Sequence, residues 1–89
     1  MTAKEMFEKL GYKQERKEVN SNGYGKDSWL YYHKGIHGQA IVFSLTNNTV
    51  WTCSYEDLEK DSVSGDIYGL FPEEIQVITQ QMKELGWIE

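Results

Sequence analysis

The stretch that decides the fold is QAIVFSLTNNTVWTCSY, residues 39–55. Two runs rich in β-branched and aromatic residues, AIVFSL and VWTCSY, flank Thr46-Asn47-Asn48-Thr49. Such residues fit a pleated, half-buried surface. Asn tolerates positive φ, so Asn47-Asn48 reads as a two-residue hairpin turn. That turn sets Leu45 opposite Val50, Phe43 opposite Thr52, and Ile41 opposite Ser54, all on one face. On the other face Val42 meets Cys53 and Ser44 meets Trp51, with Ala40 and Tyr55 alongside. The Ile41, Phe43, Leu45 and Val50 face is the more aliphatic and is assigned to the core. The second face carries Trp51, Tyr55, Val42 and Cys53, so it is not polar either.

On the N-terminal side, Trp29–Lys34 (WLYYHK) reads as a strand and Gly35–Gly38 as a turn. Asn20–Ser28 (NSNGYGKDS) has loop chemistry throughout. Residues 12–19 are polar and fit an edge strand or a helix; the helix stop just before them favours the strand, whose charges discourage pairing with other chains. Thr2 and Glu5 match a capping box, Ala3, Met6, Phe7 and Leu10 recur at helical spacing, and Gly11 closes the helix. At the other end, Pro72 opens a second helix, with Glu73 and Glu74 suited to its N-terminus. Ile75, Ile78, Met82 and Leu85 form its apolar stripe, and Gly86 ends it. Residues 56–70 are acidic and Gly/Ser-punctuated, a loop with room for a short extra element. The expected fold is α+β: an antiparallel sheet of three to four strands with the N-terminal and C-terminal helices on one face. Residues 1–89 form one small domain in this reading.

A single cysteine, Cys53, excludes an internal disulfide. The first twenty residues hold no apolar run, and no stretch approaches the ~20 apolar residues of a membrane span. The chain therefore reads as cytoplasmic, with no membrane partner. The net charge of −5 is uneven: residues 1–38 carry +2 and residues 39–89 carry −7. The acidic half repels phosphate and suits a basic protein surface.

Candidate chemistry fails on spacing. His33 and His37 straddle a turn, and Cys53 lies inside a strand, so they define neither a zinc set nor a nucleophile with its base. Asp57, Glu59 and Asp61 imitate the start of a calcium loop, but Ser62 stands where glycine is needed and Tyr68 where the bidentate Glu belongs. GYGKDS lacks the first glycine and the hydroxyl of a phosphate loop. No catalytic residue, metal or cofactor is expected.

Two features remain: the strand aromatics Trp29, Tyr31, Tyr32, Trp51 and Tyr55, and the acidic run Glu56, Asp57, Glu59, Asp61 and Asp66. Aromatics rimmed by acid suit a protein partner, since Trp and Tyr supply interface anchors. The expected partner-binding residues are Trp51, Tyr55, Glu56, Asp57, Glu59, Asp61 and Asp66. The alternative is a single-stranded nucleic-acid module stacking bases on the same aromatics, which needs a basic rim from Lys13, Arg16, Lys17, Lys26 and Lys34. An apolar second sheet face also suits a homodimer as well as a monomer.

Three stretches together, TAKEMFEKLGY (2–12), IVFSLTNNTVW (41–51) and EEIQVITQQMKELGW (73–87), resemble small uncharacterised proteins encoded by phages and prophages of Gram-positive bacteria. The resemblance implies a non-enzymatic accessory protein that binds a host or phage protein. Anti-defence proteins, such as anti-CRISPR inhibitors, are one class of that kind. It carries no catalytic motif, so no site residue follows from it.

Overall fold

A computed structural model describes residues 1–21, 25–35, 38–59 and 69–89. The first helix, α1 (Ala3–Lys9), starts at the expected capping box. The Thr2 hydroxyl accepts the Glu5 N–H and the Glu5 carboxylate accepts the Thr2 N–H, both at 3.2 Å. Gly11 takes φ 93° at its end. Gly11 N–H then donates to Glu8 O and Tyr12 N–H to Phe7 O, both at 3.0 Å, which is a Schellman stop. The stop turns Tyr12 back over Phe7, with ring centroids 5.5 Å apart.

Four antiparallel strands follow in sequential order: β1 (Lys13–Ser21), β2 (Gly25–His33), β3 (Gln39–Ser44) and β4 (Thr49–Ser54). β1 and β2 pair from Lys13 opposite His33 to Ser21 opposite Gly25. Asn20, Ser21 and Gly25–Ser28 are thus strand rather than the expected loop, and residues 22–24 lie outside the described residues. Asp27 can sit in β2 because three donors satisfy its carboxylate: Ser44 Oγ, Trp29 Nε1 and Thr46 N–H. Gly25, at φ 85°, takes a conformation that other residues rarely adopt.

The β3–β4 hairpin also departs from expectation. Ser44 pairs with Thr49, Phe43 with Val50, Val42 with Trp51, Ile41 with Thr52, and Ala40 with Cys53. The turn covers the four residues 45–48, and only Asn48 is left-handed, at φ 55°. Its N–H closes the turn on Ser44 O at 2.9 Å. Every partner moves by two positions. Side chains alternate with period two, so both faces keep the membership read from sequence.

A short helix, α2 (Tyr55–Glu59), leaves β4. The last helix, α3 (Pro72–Glu84), begins at Pro72 as expected. Gly86, at φ 78°, ends it with a second Schellman stop: Gly86 N–H to Lys83 O at 3.0 Å and Trp87 N–H to Met82 O at 2.9 Å. Trp87 returns to the core, 6.1 Å from Phe43. The helices α1 and α3 pack on one sheet face around Phe7, Tyr12, Leu30, Tyr32, Ile41, Phe43, Val77 and Ile78. Among the described residues, no helix is long and apolar enough to cross a membrane.

The buried side of α3 is Glu74, Val77, Ile78 and Gln81, whereas Ile75 is 51% exposed. Of the expected stripe, Ile78 is buried and Met82 and Leu85 pack against the core, so the departure is confined to Ile75. Two polar residues join the buried side because the sheet supplies their partners. Tyr12 Oη donates to Glu74, and Gln39 Nε2 donates to the same carboxylate at 3.0 Å. Tyr32 Oη donates to Gln81 Oε1. Burial would raise the Glu74 pKa, but the bonds from Tyr12, Phe71 N–H and Gln39 outweigh it and hold it below the usual carboxylate range.

A depressed carboxylate pKa adds stability above its unfolded value, and that stability is lost as pH falls through the folded value. Tyr12→Phe should therefore cost about 1–3 kcal/mol near neutrality. The cost should shrink in acid, where Glu74 is protonated with or without the phenol. Urea denaturation at the two pH values checks both the loss and its sign.

Candidate functional site

The sheet face away from α1 and α3 carries Lys13, Glu15 and Lys17 of β1, Asp27, Trp29, Tyr31 and His33 of β2, then Ala40, Val42 and Ser44 of β3, and Trp51 and Cys53 of β4. This follows from the strand register and the alternation of side chains. A second apolar cluster forms here from Tyr31, Ala40, Val42, Cys53 and Leu58, with Trp29, Trp51 and Tyr55 packed against it. Leu58, 3% exposed, is the residue by which α2 docks on this face. Lys17 Nζ holds the same helix by donating to Leu58 O at 3.0 Å.

At one end of the face Asp27 organises the tryptophans. Its carboxylate accepts Trp29 Nε1–H at 2.8 Å and the Ser44 hydroxyl at 2.8 Å. Trp29 then meets Trp51 edge to face, with centroids 5.0 Å apart and planes at 84°, the arrangement that ring quadrupoles favour. Burial would raise the Asp27 pKa, but the Ser44, Trp29 and Thr46 donors prevail and hold it low. Both indoles are half-buried.

At the other end, Glu15 accepts the Tyr31 hydroxyl at 3.0 Å. The same carboxylate lies 3.4 Å from His33 Nε2. The His33 ring stacks on Tyr55, with centroids 4.0 Å apart and planes at 15°. Burial pushes the Glu15 pKa up, yet the Tyr31 hydroxyl and the His33 imidazole bring it below the usual range.

Of the residues expected to meet a partner, Trp51 and Tyr55 are half-buried on this face and Glu56 is exposed at the start of α2. Asp57 and Glu59 lie on α2, but their side chains are outside the described residues, as are Asp61 and Asp66. His37 is outside them too. Cys53 is 1% exposed, the small strand hydrophobe that its position suggested. Among the described residues, no three His, Cys, Asp or Glu side chains come together to hold a metal. An open depression of about 170 Å³ runs along β1 and β2 between Arg16, Lys17, Glu18, Ser28, Trp29 and Leu45; His33 and Cys53 are not in its walls.

Of the expected basic rim, Lys13 and Lys17 stand on the aromatic face, Lys17 directly opposite Trp29, and the others do not. Arg16 and Lys26 share the opposite face with Leu30 by register. Lys34 lies over the Tyr12 ring, 4.8 Å from its centroid. Lys13 is 3.6 Å from Glu15. The Asp27 and Glu15 clusters escaped sequence reasoning because their partners stand 17 and 16 positions away, joined by strand register alone. No family model, curated protein or solved structure matches the chain.

Asp27→Ala would leave three donors without their acceptor. A loss of about 1–3 kcal/mol or more is expected by urea denaturation. Near-UV circular dichroism of the folded variant should lose the tryptophan signal as Trp29 comes out of its fixed angle with Trp51.

Proposed function

We propose that this chain is a non-enzymatic binding protein, a phage or prophage accessory protein that acts by occupying a protein partner. Its contact surface is Trp51 and Tyr55 with the acidic start of α2, where Glu56 is exposed. The observation that carries the reading is the state of Trp51: half-exposed, yet braced edge-on by Trp29, which Asp27 locks in turn. A rigid aromatic loses little conformational entropy on binding, which suits an interface anchor. The buried imidazole of His33 and thiol of Cys53 support a binding role over a catalytic one.

Protein is favoured over single-stranded nucleic acid by where the cations lie. Base-stacking platforms are bordered by Lys and Arg, whereas Arg16 and Lys26 lie on the far face and Lys17 is committed to Leu58 O. Carboxylates from the acidic half would then face a basic partner surface. Inhibition of a host defence protein that ordinarily binds phosphate is the form of this function that charge favours.

The test is affinity capture from a Gram-positive host lysate with four proteins side by side: wild type, Trp51→Ser, Glu56→Lys, and Gln76→Ala on an exposed position of α3. A protein retained by wild type and Gln76→Ala, and lost by at least tenfold with Trp51→Ser and Glu56→Lys, is the expected result. Glu56→Lys alters a surface residue, so its loss of capture cannot be put down to misfolding. Equal capture by all four would remove the proposed surface.

A further inference from the structure

His33 lies at the junction of a closed ring of contacts. Its Nδ1 accepts the Gly35 N–H at 3.2 Å. Gly35 O accepts the Gly38 N–H at 2.9 Å, and Gly38 O accepts the Tyr55 N–H at 3.1 Å. Tyr55, the first residue of α2, returns to stack its ring on the imidazole. Three hydrogen bonds and one ring contact thus tie His33, the turn after β2 and the start of α2 into one unit.

This geometry specifies a tautomer. A nitrogen that accepts an N–H carries no proton, so in the neutral ring the proton is on Nε2. Nε2 is buried and makes no hydrogen bond among the described residues. It stands 3.4 Å from the Glu15 carboxylate, which Tyr31 holds at 3.0 Å. A second proton could go only to Nδ1. There it would set N–H against N–H, and the Gly35 amide would have to turn away. Gly35, at φ 103°, has the backbone freedom to do so.

We propose that His33 is a pH-operated latch: the neutral ring fastens Gly35, and through it Gly38 and the head of α2, and the imidazolium releases Gly35 while pairing with Glu15. Among the described residues, the charged and titratable groups around it are Glu15 and Lys13 from β1, Tyr31 from its own strand and Tyr55 from α2. On the remaining side Ala40 of β3 lies opposite it, with the Cys53 thiol of β4 beyond. The two states exchange one hydrogen bond for one ion pair, so each has its own stabilising contact. The latch is closed while the ring is neutral and open once Nδ1 takes up a proton. It stands independently of any partner at α2.

The test is nuclear magnetic resonance on the His37→Gln protein, in which His33 is the one imidazole. Long-range ¹⁵N–¹H spectra at high pH should show a proton on Nε2 and none on Nδ1. On acidification, the Gly35, Gly38 and Tyr55 amides should shift with the midpoint of the ring itself. Exchange of the Gly35 amide, corrected for the intrinsic pH dependence, should rise roughly tenfold as its bond is lost. Glu15→Gln should move the midpoint to lower pH by removing the charge that favours the imidazolium. An Nδ1–H tautomer at high pH, amides that ignore the ring transition, or a midpoint unmoved in Glu15→Gln would overturn the latch.

Discussion

Tyr32 has no exposed surface, and four other elements meet on it. Its ring stacks on Phe7 of α1, with centroids 3.8 Å apart, and meets Phe43 of β3 edge-on at 6.1 Å. Its hydroxyl donates to Gln81 of α3 and accepts from Gln14 Nε2 of β1 at 2.9 Å. α1 has seven residues, well below the ~12–15 at which an isolated helix becomes marginal in water. It exists because Phe7 is buried against that ring, where an aromatic pair adds about 0.5–1.5 kcal/mol beyond its area. The capping box and the Schellman stop determine where the helix begins and ends; Tyr32 determines where it lies.

The same strands serve two faces with different physics. On the helix side, aromatic and aliphatic side chains close round two buried polar bridges, Tyr12 with Glu74 and Tyr32 with Gln81. The opposite side holds a thinner apolar layer under α2, between two hydrogen-bonded clusters centred on Asp27 and Glu15. Those carboxylates fix aromatic rings: Asp27 holds Trp29 against Trp51, and Glu15 holds Tyr31 beside the His33–Tyr55 stack. Rings held in place by part-buried hydrogen bonds are suited to recognition, since little freedom remains to be lost on contact.

Local signals were enough for the ends of α1 and α3, an antiparallel sheet of three to four strands and the division of the hairpin into faces. Thr2, Glu5, Gly11, Pro72 and Gly86 act within a few residues, so their roles are written in adjacent letters. The hairpin register was missed by two positions because Asn47-Asn48 suggested two left-handed residues, whereas the turn uses only Asn48. Period-two alternation made that error harmless to the faces. Polar residues buried by distant partners were not legible. Glu74 and Gln81 face inward because Tyr12 and Tyr32 reach them from 62 and 49 positions away. Asp27 continues a strand through what reads as loop because Ser44 and Thr46 meet it across the sheet. For the proposed binding face, Trp51, Tyr55 and Glu56 could be named from composition, but the side chains that brace the two rings could not.

If Tyr32 joins both helices and the sheet into one cooperative unit, removing its hydroxyl alone must weaken all of them together. Native-state amide hydrogen exchange on Tyr32→Phe measures this directly. The most protected amides of α1, α3 and β2 are expected to lose protection by a common factor of roughly ten, as Gln81 and Gln14 lose their shared partner. Unchanged protection, or a loss confined to α3, would contradict the central place given to that side chain.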